Sequence, residues 1–197
     1  MKTVRRVLAR LLEPLVRRFS RNEDPWAHIR TDVPVNAYGP GSRHDFAWYF
    51  EGESAVKVAT LEEIQDWLLS CEYTHDPELF QEADFWQHPR TFEHLRKGDC
   101  EDHALWAWRK LVELGVDADF ICGRAIWPED DRKPDGYHAW VVFRRDGEAF
   151  VMEATCKSKE RMIRRLADVR TQYVPSLGVD AKRERFAFSG ALKDSDG

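Results

Sequence analysis

The clearest periodic pattern along the chain begins at Cys100. Apolar side chains return after it at Ala104, Trp108, Leu111 and Val112. This is the spacing of a helix with one buried face, and Gly115 is a typical residue just beyond a helix end. The pattern predicts a buried helix that starts at Cys100 and stops before Gly115.

Three shorter helices are predicted ahead of it. A capping box that begins at Thr60 precedes an amphipathic stretch. Pro77 and Pro89 each suit the first position of a further helix, because the amide hydrogen that proline lacks has no acceptor there. The earlier stretch from residue 22 to 52 is rich in Pro, Gly and Asn, so we predict a wrapping segment with at most one edge strand.

After this helix the pattern changes to strands. The strand candidates are Ala118–Trp127, Tyr137–Phe143 and Ala149–Thr155. Asp146-Gly147 suits the tight turn of a hairpin between the second and the third. Helices followed by a meander of antiparallel strands predict an α+β fold.

Further segments complete the prediction. Residues 128–136 form a charged loop that is expected to border a cleft and to gate it. The pattern over Ser158–Val169 predicts a helix that is basic on one side, and Thr171–Val174 and Arg185–Phe188 are predicted as short strands. Residues 193–197 are expected to be disordered.

Composition divides the chain into four parts. Residues 1–21 carry seven basic side chains and one acidic one, with apolar residues at helical spacing. They predict a basic amphipathic helix that contacts an anionic membrane surface or a partner, or else packs on the protein's own acidic domain. Residues 22–59 form the wrapping segment, 60–192 the main domain, and 193–197 the tail.

The overall composition excludes several classes of protein. The 197 residues are 43% hydrophobic, enough for one core, and the net charge of -5 argues against a nucleic-acid binder. Four cysteines without CxxC spacing indicate neither a zinc ribbon nor a disulfide scaffold. No apolar run approaches the roughly 20 residues of a membrane span, and no continuous apolar segment of a secretory signal is present. We therefore expect a cytoplasmic protein with reduced thiols.

Three residues in this arrangement could form a thiol active site. Cys100 is predicted at a helix N-terminus, where the helix dipole and unpaired amides favour the thiolate. The alternative is that it is one more small buried residue. His138 lies on a predicted strand and Glu153 on its hairpin partner, so the carboxylate could accept a hydrogen bond from the imidazole.

Acidic residues flank this cysteine. Asp99, Glu101 and Asp102 should raise the pKa of the thiol and so oppose the helix dipole. They are either solvated helix caps or ligands of a cation, and carboxylate oxygens suit calcium. His103 is a weaker hint of a zinc site, for which two further ligands would have to converge.

The motifs around these residues resemble a known family. Gly98-Asp99-Cys100-Glu101-Asp102-His103-Ala104, Tyr137-His138-Ala139-Trp140-Val141 and Glu153-Ala154-Thr155 look like the transglutaminase-like superfamily of papain-type thiol enzymes, and most like its bacterial cysteine proteinases. The resemblance covers residues 60 to 157. It implies a papain/transglutaminase-like fold with Cys100 as nucleophile, His138 as base and Glu153 as the group that orients the base. The family more often has Asp, in an Asp-Pro-Thr context, at the third position.

The resemblance also implies an oxyanion donor and a reaction. Trp86 resembles the family's aromatic donor ahead of the cysteine, with Gln87 as the competing candidate and a core tryptophan as the alternative. The implied reaction passes through an acyl-cysteine on a protein or peptide substrate and requires no cofactor. Water as acceptor gives a peptidase, and an amine gives a transglutaminase. A non-catalytic binding module that retains the fold is the remaining alternative.

One possible cofactor follows from the same resemblance. Some similar bacterial proteinases bind calcium next to the active cysteine through acidic residues. The matching positions in this chain are Asp99, Glu101 and Asp102.

Overall fold

The structure is a computed structural model that describes residues 24–126 and 136–192. Its helices are α1 (Leu61–Leu69), α2 (Asp76–Leu79), α3 (Pro89–Leu95), α4 (Cys100–Glu113), α5 (Lys159–Met162) and α6 (Leu166–Val169). Its strands are β1 (His28–Thr31), β2 (Glu72–Tyr73), β3 (Lys97–Gly98), β4 (Ala118–Ala125), β5 (Gly136–Arg145), β6 (Glu148–Met152), β7 (Ile163–Arg165), β8 (Tyr173–Val179) and β9 (Arg185–Phe188). The predicted basic helix at 1–21, nearly all of the loop at 128–136 and the tail at 193–197 lie outside the described residues.

One antiparallel sheet forms the framework of this α+β fold. Its seven strands lie in the order β1-β9-β8-β4-β5-β6-β7, and β2 and β3 form a separate parallel pair. The predicted meander is confirmed, because β4, β5 and β6 are consecutive neighbours. Asp146 and Gly147, with φ of 53° and 78°, form the predicted tight turn. The wrapping segment contributes the edge strand β1 beside β9.

Helix α4 lies at the centre of the molecule. It packs on β4 and β5 on one side and on α1 and α3 on the other. Trp106 and Trp108 on this helix are fully buried, and the Trp108 indole donates to the Ala118 carbonyl at 3.0 Å. Each such side chain contributes roughly 2–3 kcal/mol through burial of apolar surface. The helix that begins at Cys100 is therefore held firmly by the core.

Two predicted segments differ from the structure. The continuous helix over Ser158–Val169 is wrong, because β7 separates α5 from α6. Ile163 pairs with Met152 at the edge of β6 that would otherwise be open. Hydrogen bonds to the sheet therefore satisfy the backbone groups of this segment, in place of the hydrogen bonds of a continuous helix. Strand β8 also continues well beyond the predicted end, through Pro175 and Gly178, which are typical strand breakers.

The helices are short apart from α1 and α4. No helix within residues 24–126 and 136–192 is long and apolar enough to cross a bilayer.

Candidate active site

Cys100 is the first residue of helix α4, as the periodic pattern predicts. Strand β3 ends at Gly98, where an added Cβ would lie 2.3 Å from Asp102 Oδ2, so this position requires glycine. Asp102 accepts hydrogen bonds from the backbone N–H of Gln87 at 2.9 Å and from that of Asp99 at 3.3 Å. The Gly-Asp-Cys-Glu-Asp sequence thus fixes the first helical turn and the position of the sulfur.

His138 and Glu153 meet at the end of the hairpin. His138 belongs to β5, and Glu153 directly follows β6. The Nε2 atom of His138 lies 2.9 Å from both carboxylate oxygens of Glu153, and the two side chains are 12% and 4% exposed. Because a carboxylate can only accept, Nε2 carries the hydrogen. Proton exchange with a thiol would then use Nδ1.

The cysteine and the histidine line the same cavity. This cavity has a volume of about 520 Å³, and its walls include Cys100, His138, Trp86 and Tyr73. The backbone amide of Ala139, next to the histidine, by itself lowers the thiol pKa. A second cleft of about 670 Å³ lies beside β1 and β9, but charged side chains line most of it and it contains no cysteine.

The surroundings of the sulfur nevertheless oppose its ionisation. Burial raises the pKa of Cys100, and the carboxylates of Glu101 and Asp99 raise it further. The thiol donates to Glu101 Oε2 at 3.2 Å. These groups keep the thiol protonated at neutral pH, which is the opposite of what the helix terminus alone predicts.

The carboxylates beside the cysteine form a larger cluster than the sequence predicts. Oxygens of Asp76, Asp84 and Glu101 lie within 4.8 Å of one another, and so do oxygens of Asp76, Asp99 and Asp102. Asp76 Oδ1, Asp99 Oδ1 and Glu101 Oε1 are buried and have no hydrogen-bond partner among the residues described. Burial raises the pKa of Asp76 to about 6, and raises those of Glu101 and Asp102 well above their usual range. Converging buried oxygens of this kind fit a divalent cation such as calcium.

The members of this cluster differ in how available they are to a cation. Both oxygens of Asp102 accept hydrogen bonds from Gln87, at 2.9 and 2.5 Å. Both oxygens of Asp84 also accept hydrogen bonds, from the Trp86 indole at 3.0 Å and the Gly41 backbone N–H at 2.7 Å, so these two residues already have a structural role. Asp76 and Asp84 lie between β2 and α3, far from the cysteine motif in sequence. The pairing of β2 with β3 and the hydrogen bonds from Gln87 to Asp102 bring this segment to α4, and neither contact gives a spacing signal in the sequence.

Trp86 lines the cavity, but its indole N–H is engaged. It donates to Asp84 Oδ1 at 3.0 Å, and its ring packs edge-on against Phe46 and Phe120. The competing Gln87 side chain donates to the Lys97 carbonyl at 2.9 Å as well as to the helix cap. Either side chain would have to exchange a hydrogen bond before it could hold an oxyanion, and the role of Trp86 stays a prediction.

Tyr73 is a cavity residue that sequence analysis misses. It pairs in register with Gly98, two residues before Cys100, and it is 41% exposed. Burial raises the pKa of its hydroxyl, and the Cys100 sulfur is the next largest cause. The hydroxyl therefore stays protonated and is a neutral donor in the cavity that Cys100 lines. Its isolated position in a two-residue strand gives no sequence signal.

His103 does not support a zinc site. Its Nδ1 atom lies 2.7 Å from the Asp99 carbonyl, and burial lowers its pKa to about 4. It belongs to none of the metal-ligand groups found among the described residues. The imidazole acts as a neutral packing residue beneath the first turn of α4.

The chain has a distant similarity to a solved protein structure. No protein-family model and no curated protein matches the chain. A solved structure from Cytophaga hutchinsonii, provisionally described as a cysteine protease, is similar at 16% sequence identity with a TM-score of 0.41. The match covers 66% of this chain and 38% of that one, so this chain spans well under half of that protein. The antiparallel sheet and helices are compatible with a papain-like fold, and the resemblance to transglutaminase-like enzymes rests on the sequence motifs.

Proposed function

We propose that the protein is a thiol hydrolase of the cysteine-peptidase kind, which acts on a peptide or amide carbonyl through an acyl-cysteine intermediate. One observation carries the proposal. Cys100 and His138 line a single cavity, and Nε2 of His138 is held 2.9 Å from the buried carboxylate of Glu153. A nucleophile, a base and a group that orients the base are the parts that thiol acyl chemistry needs.

The mechanism uses these groups in turn. Nδ1 of His138 removes the proton from Cys100 while the sulfur bonds to the carbonyl carbon. The backbone N–H of Cys100 is available to the oxyanion, because the first amides of a helix have no intrahelical acceptor. His138 then gives the proton to the leaving amine as the C–N bond breaks. Water, deprotonated by His138, attacks the thioester and releases the acid and the thiol.

The protonated state of the thiol decides how His138 acts. Burial and the neighbouring carboxylates raise the pKa of Cys100, so a permanent thiolate–imidazolium pair is disfavoured in the cation-free protein. General-base removal of the proton during attack fits this site better, and such catalysis contributes roughly 10²- to 10⁴-fold to a rate.

We also propose that the acidic cluster holds a divalent cation, with calcium as the ion that suits its oxygens. Asp76 and Glu101 would supply ligands through their buried oxygens that have no partner among the described residues, and Asp84 would add an oxygen that also keeps its hydrogen bond. A bound cation would supply positive charge that offsets the negative field on the thiol. Of the ligands that the sequence motif predicts, Glu101 and Asp99 would take part, whereas Asp102 is already engaged by Gln87.

Variants at the three proposed active-site positions test the hydrolase. With a fluorogenic peptide or ester, Cys100→Ala and His138→Ala should abolish turnover while the melting temperature stays within a few degrees of the parent. Glu153→Gln, which keeps a hydrogen-bond acceptor, should slow turnover less. Cys156→Ala is the matched control, because this half-buried cysteine lies outside the cavity lining. Equal activity of all three variants and the parent would refute the assignment.

The acyl acceptor is tested in the same assay. With water as acceptor, the product is the free acid whether or not a primary amine such as glycine methyl ester is present. Transglutaminase-type transfer, the alternative reaction, would give the amide of that amine. Mass spectrometry of the product separates the two.

A second candidate function is a non-catalytic binding module that retains the fold. The raised pKa of Cys100 favours it if His138 does not remove the thiol proton, because a protonated thiol is a poor nucleophile. Labelling with iodoacetamide as a function of pH distinguishes the candidates. A Cys100 that reacts only above about pH 8.5 even with calcium present behaves as an unactivated thiol and favours the module.

A further inference from the structure

Glu153 is held by more than the histidine. Its Oε1 atom accepts a hydrogen bond from the Thr155 hydroxyl at 2.7 Å, and its Oε2 atom accepts one from the Tyr173 hydroxyl at 3.2 Å. The Nε2 atom of His138 lies between the two oxygens, at 2.9 Å from each. The carboxylate is therefore gripped at both oxygens by hydroxyl donors while it faces the imidazole.

Tyr173 reaches this position from a distant part of the sheet. It is the first residue of β8, and β4 and β5 lie between that strand and β6. Its side chain is fully buried, and its ring packs against Trp140 at a centroid distance of 4.9 Å. Trp140 in turn lies nearly parallel to His138, at 22° and 6.3 Å. Tyr173 thus contacts the carboxylate directly and supports the imidazole through one intervening ring.

The hydroxyl of Tyr173 is suited to stay a donor. Burial raises its pKa, and the neighbouring Glu153 carboxylate acts in the same direction. Arg164 Nη2 lies 3.4 Å from the tyrosine oxygen, so the guanidinium can donate to that oxygen while the tyrosine donates to the carboxylate. A chain of donors therefore ends on Glu153.

A glutamate requires such hydrogen bonds to fix its carboxylate more than the shorter aspartate would. Each rotatable bond that must be fixed costs conformational entropy, and Glu loses more than Asp on ordering. A buried carboxylate also has to be compensated by hydrogen bonds, since its desolvation is costly. Two hydroxyl donors meet both requirements at once.

We propose that Tyr173 is a positioning residue that acts together with Thr155. The two hydroxyls hold the Glu153 carboxylate in place, so that His138 keeps its hydrogen on Nε2 and presents Nδ1 to the sulfur. This inference rests on the proposed thiol chemistry, but the geometry that it predicts can be measured without any turnover.

The test combines nitrogen NMR with kinetics. In the parent, the ¹⁵N shifts of the His138 ring at neutral pH should be those of a single Nε2–H tautomer. Tyr173→Phe combined with Thr155→Val should give averaged shifts of both tautomers. Tyr173→Phe alone should lower kcat roughly tenfold and leave KM unchanged, the size expected for one hydrogen bond to a charged group. Tyr49→Phe is the matched control, because this fully buried tyrosine has a hydroxyl without a partner in the described residues, and it should change neither readout.

The possible results separate the two proposals. A single Nε2–H tautomer that persists in the double variant would overturn the positioning role, whatever the activity. A shifted tautomer in a protein whose parent turns over no substrate would support the positioning role and refute the hydrolase. A melting temperature within a few degrees of the parent shows that each variant is folded. Thr155→Ser keeps the hydroxyl and should therefore show the same Nε2–H tautomer of His138 as the parent.

Discussion

Replacement of Asp76 by Asn should stabilise the cation-free protein at neutral pH. Asp76 is 1% exposed, and burial raises its pKa from 3.8 to about 6. A group whose pKa is higher in the folded state contributes stability that is fully present below its unfolded pKa and is lost as the pH rises through its folded pKa. At pH 7 the ionised carboxylate therefore works against folding.

The size of the effect follows from the shift. One pKa unit corresponds to about 1.4 kcal/mol, so the raised pKa of Asp76 costs roughly 3 kcal/mol of stability at pH 7. At pH 4.5 the folded-state carboxyl is protonated and the cost falls to roughly 1 kcal/mol, which arises because the unfolded chain ionises more readily. Asn removes the charge and keeps an oxygen for the Phe85 backbone N–H, which Asp76 Oδ2 accepts at 2.6 Å. The difference in free energy of unfolding between Asp76→Asn and the parent should therefore increase by about 2 kcal/mol, in favour of the variant, as the pH rises from 4.5 to 7.

Urea unfolding followed by tryptophan fluorescence, with a chelator present, measures this difference. Glu78→Gln is the matched control, because this carboxylate is exposed on the same short helix α2 and should change stability by less than about 0.5 kcal/mol at either pH. A gain for Asp76→Asn that is the same at both pH values, or a loss at pH 7, would refute the electrostatic account of the cluster.

Three further predictions concern the cation, the oxyanion donor and the core. Millimolar calcium should raise the melting temperature of the parent at pH 7 by several degrees and that of Asp76→Asn by less. An unchanged melting temperature of the parent would refute the proposed cation site. Terbium luminescence excited through Trp86, whose indole is 3.0 Å from Asp84, should fall in Trp86→Phe while calorimetry still detects terbium binding. If the Tyr73 hydroxyl is the oxyanion donor, Tyr73→Phe should lower kcat about 10²-fold and Trp86→Phe much less, and the reverse order would assign the donor to Trp86 as the sequence motif predicts. Lys110→Met should destabilise the protein by about 3–5 kcal/mol in urea unfolding, because it leaves the buried Glu93 carboxylate, 3.2 Å away, without its charge partner. The double variant Lys110→Met with Glu93→Gln should recover part of the lost stability. A Lys110→Met variant as stable as the parent would contradict this prediction.

Local patterns account for much of what the sequence predicts correctly. The apolar spacing after Cys100 places the sulfur at the start of α4, and the turn at Asp146-Gly147 fixes the register of β5 and β6. That register is what brings His138 to Glu153, because side chains alternate along paired strands. These contacts join residues that are close in sequence or separated by one turn, so the local sequence pattern is sufficient to predict them.

The parts that the sequence misses depend on long-range pairing. Asp76 and Tyr73 reach the cavity lined by Cys100 through the pairing of β2 with β3, and Tyr173 reaches Glu153 because β8 returns beside β4. The segment around Ile163 has helical composition but meets an open strand edge, and tertiary pairing outweighs its local preference. The acidic neighbours correctly predict that the pKa of the thiol is raised, but the largest cause is burial, which a motif of five residues does not encode.

Acyl transfer to one sulfur tests the central claim most directly. The protein is mixed with p-nitrophenyl acetate, the release of p-nitrophenolate is followed, and the acetylated residue is located by peptide mass spectrometry. The account predicts a burst of about one equivalent with acetyl on Cys100, and a burst at least tenfold slower in His138→Ala. Acetyl on another residue, or a burst of unchanged rate in His138→Ala, would contradict it.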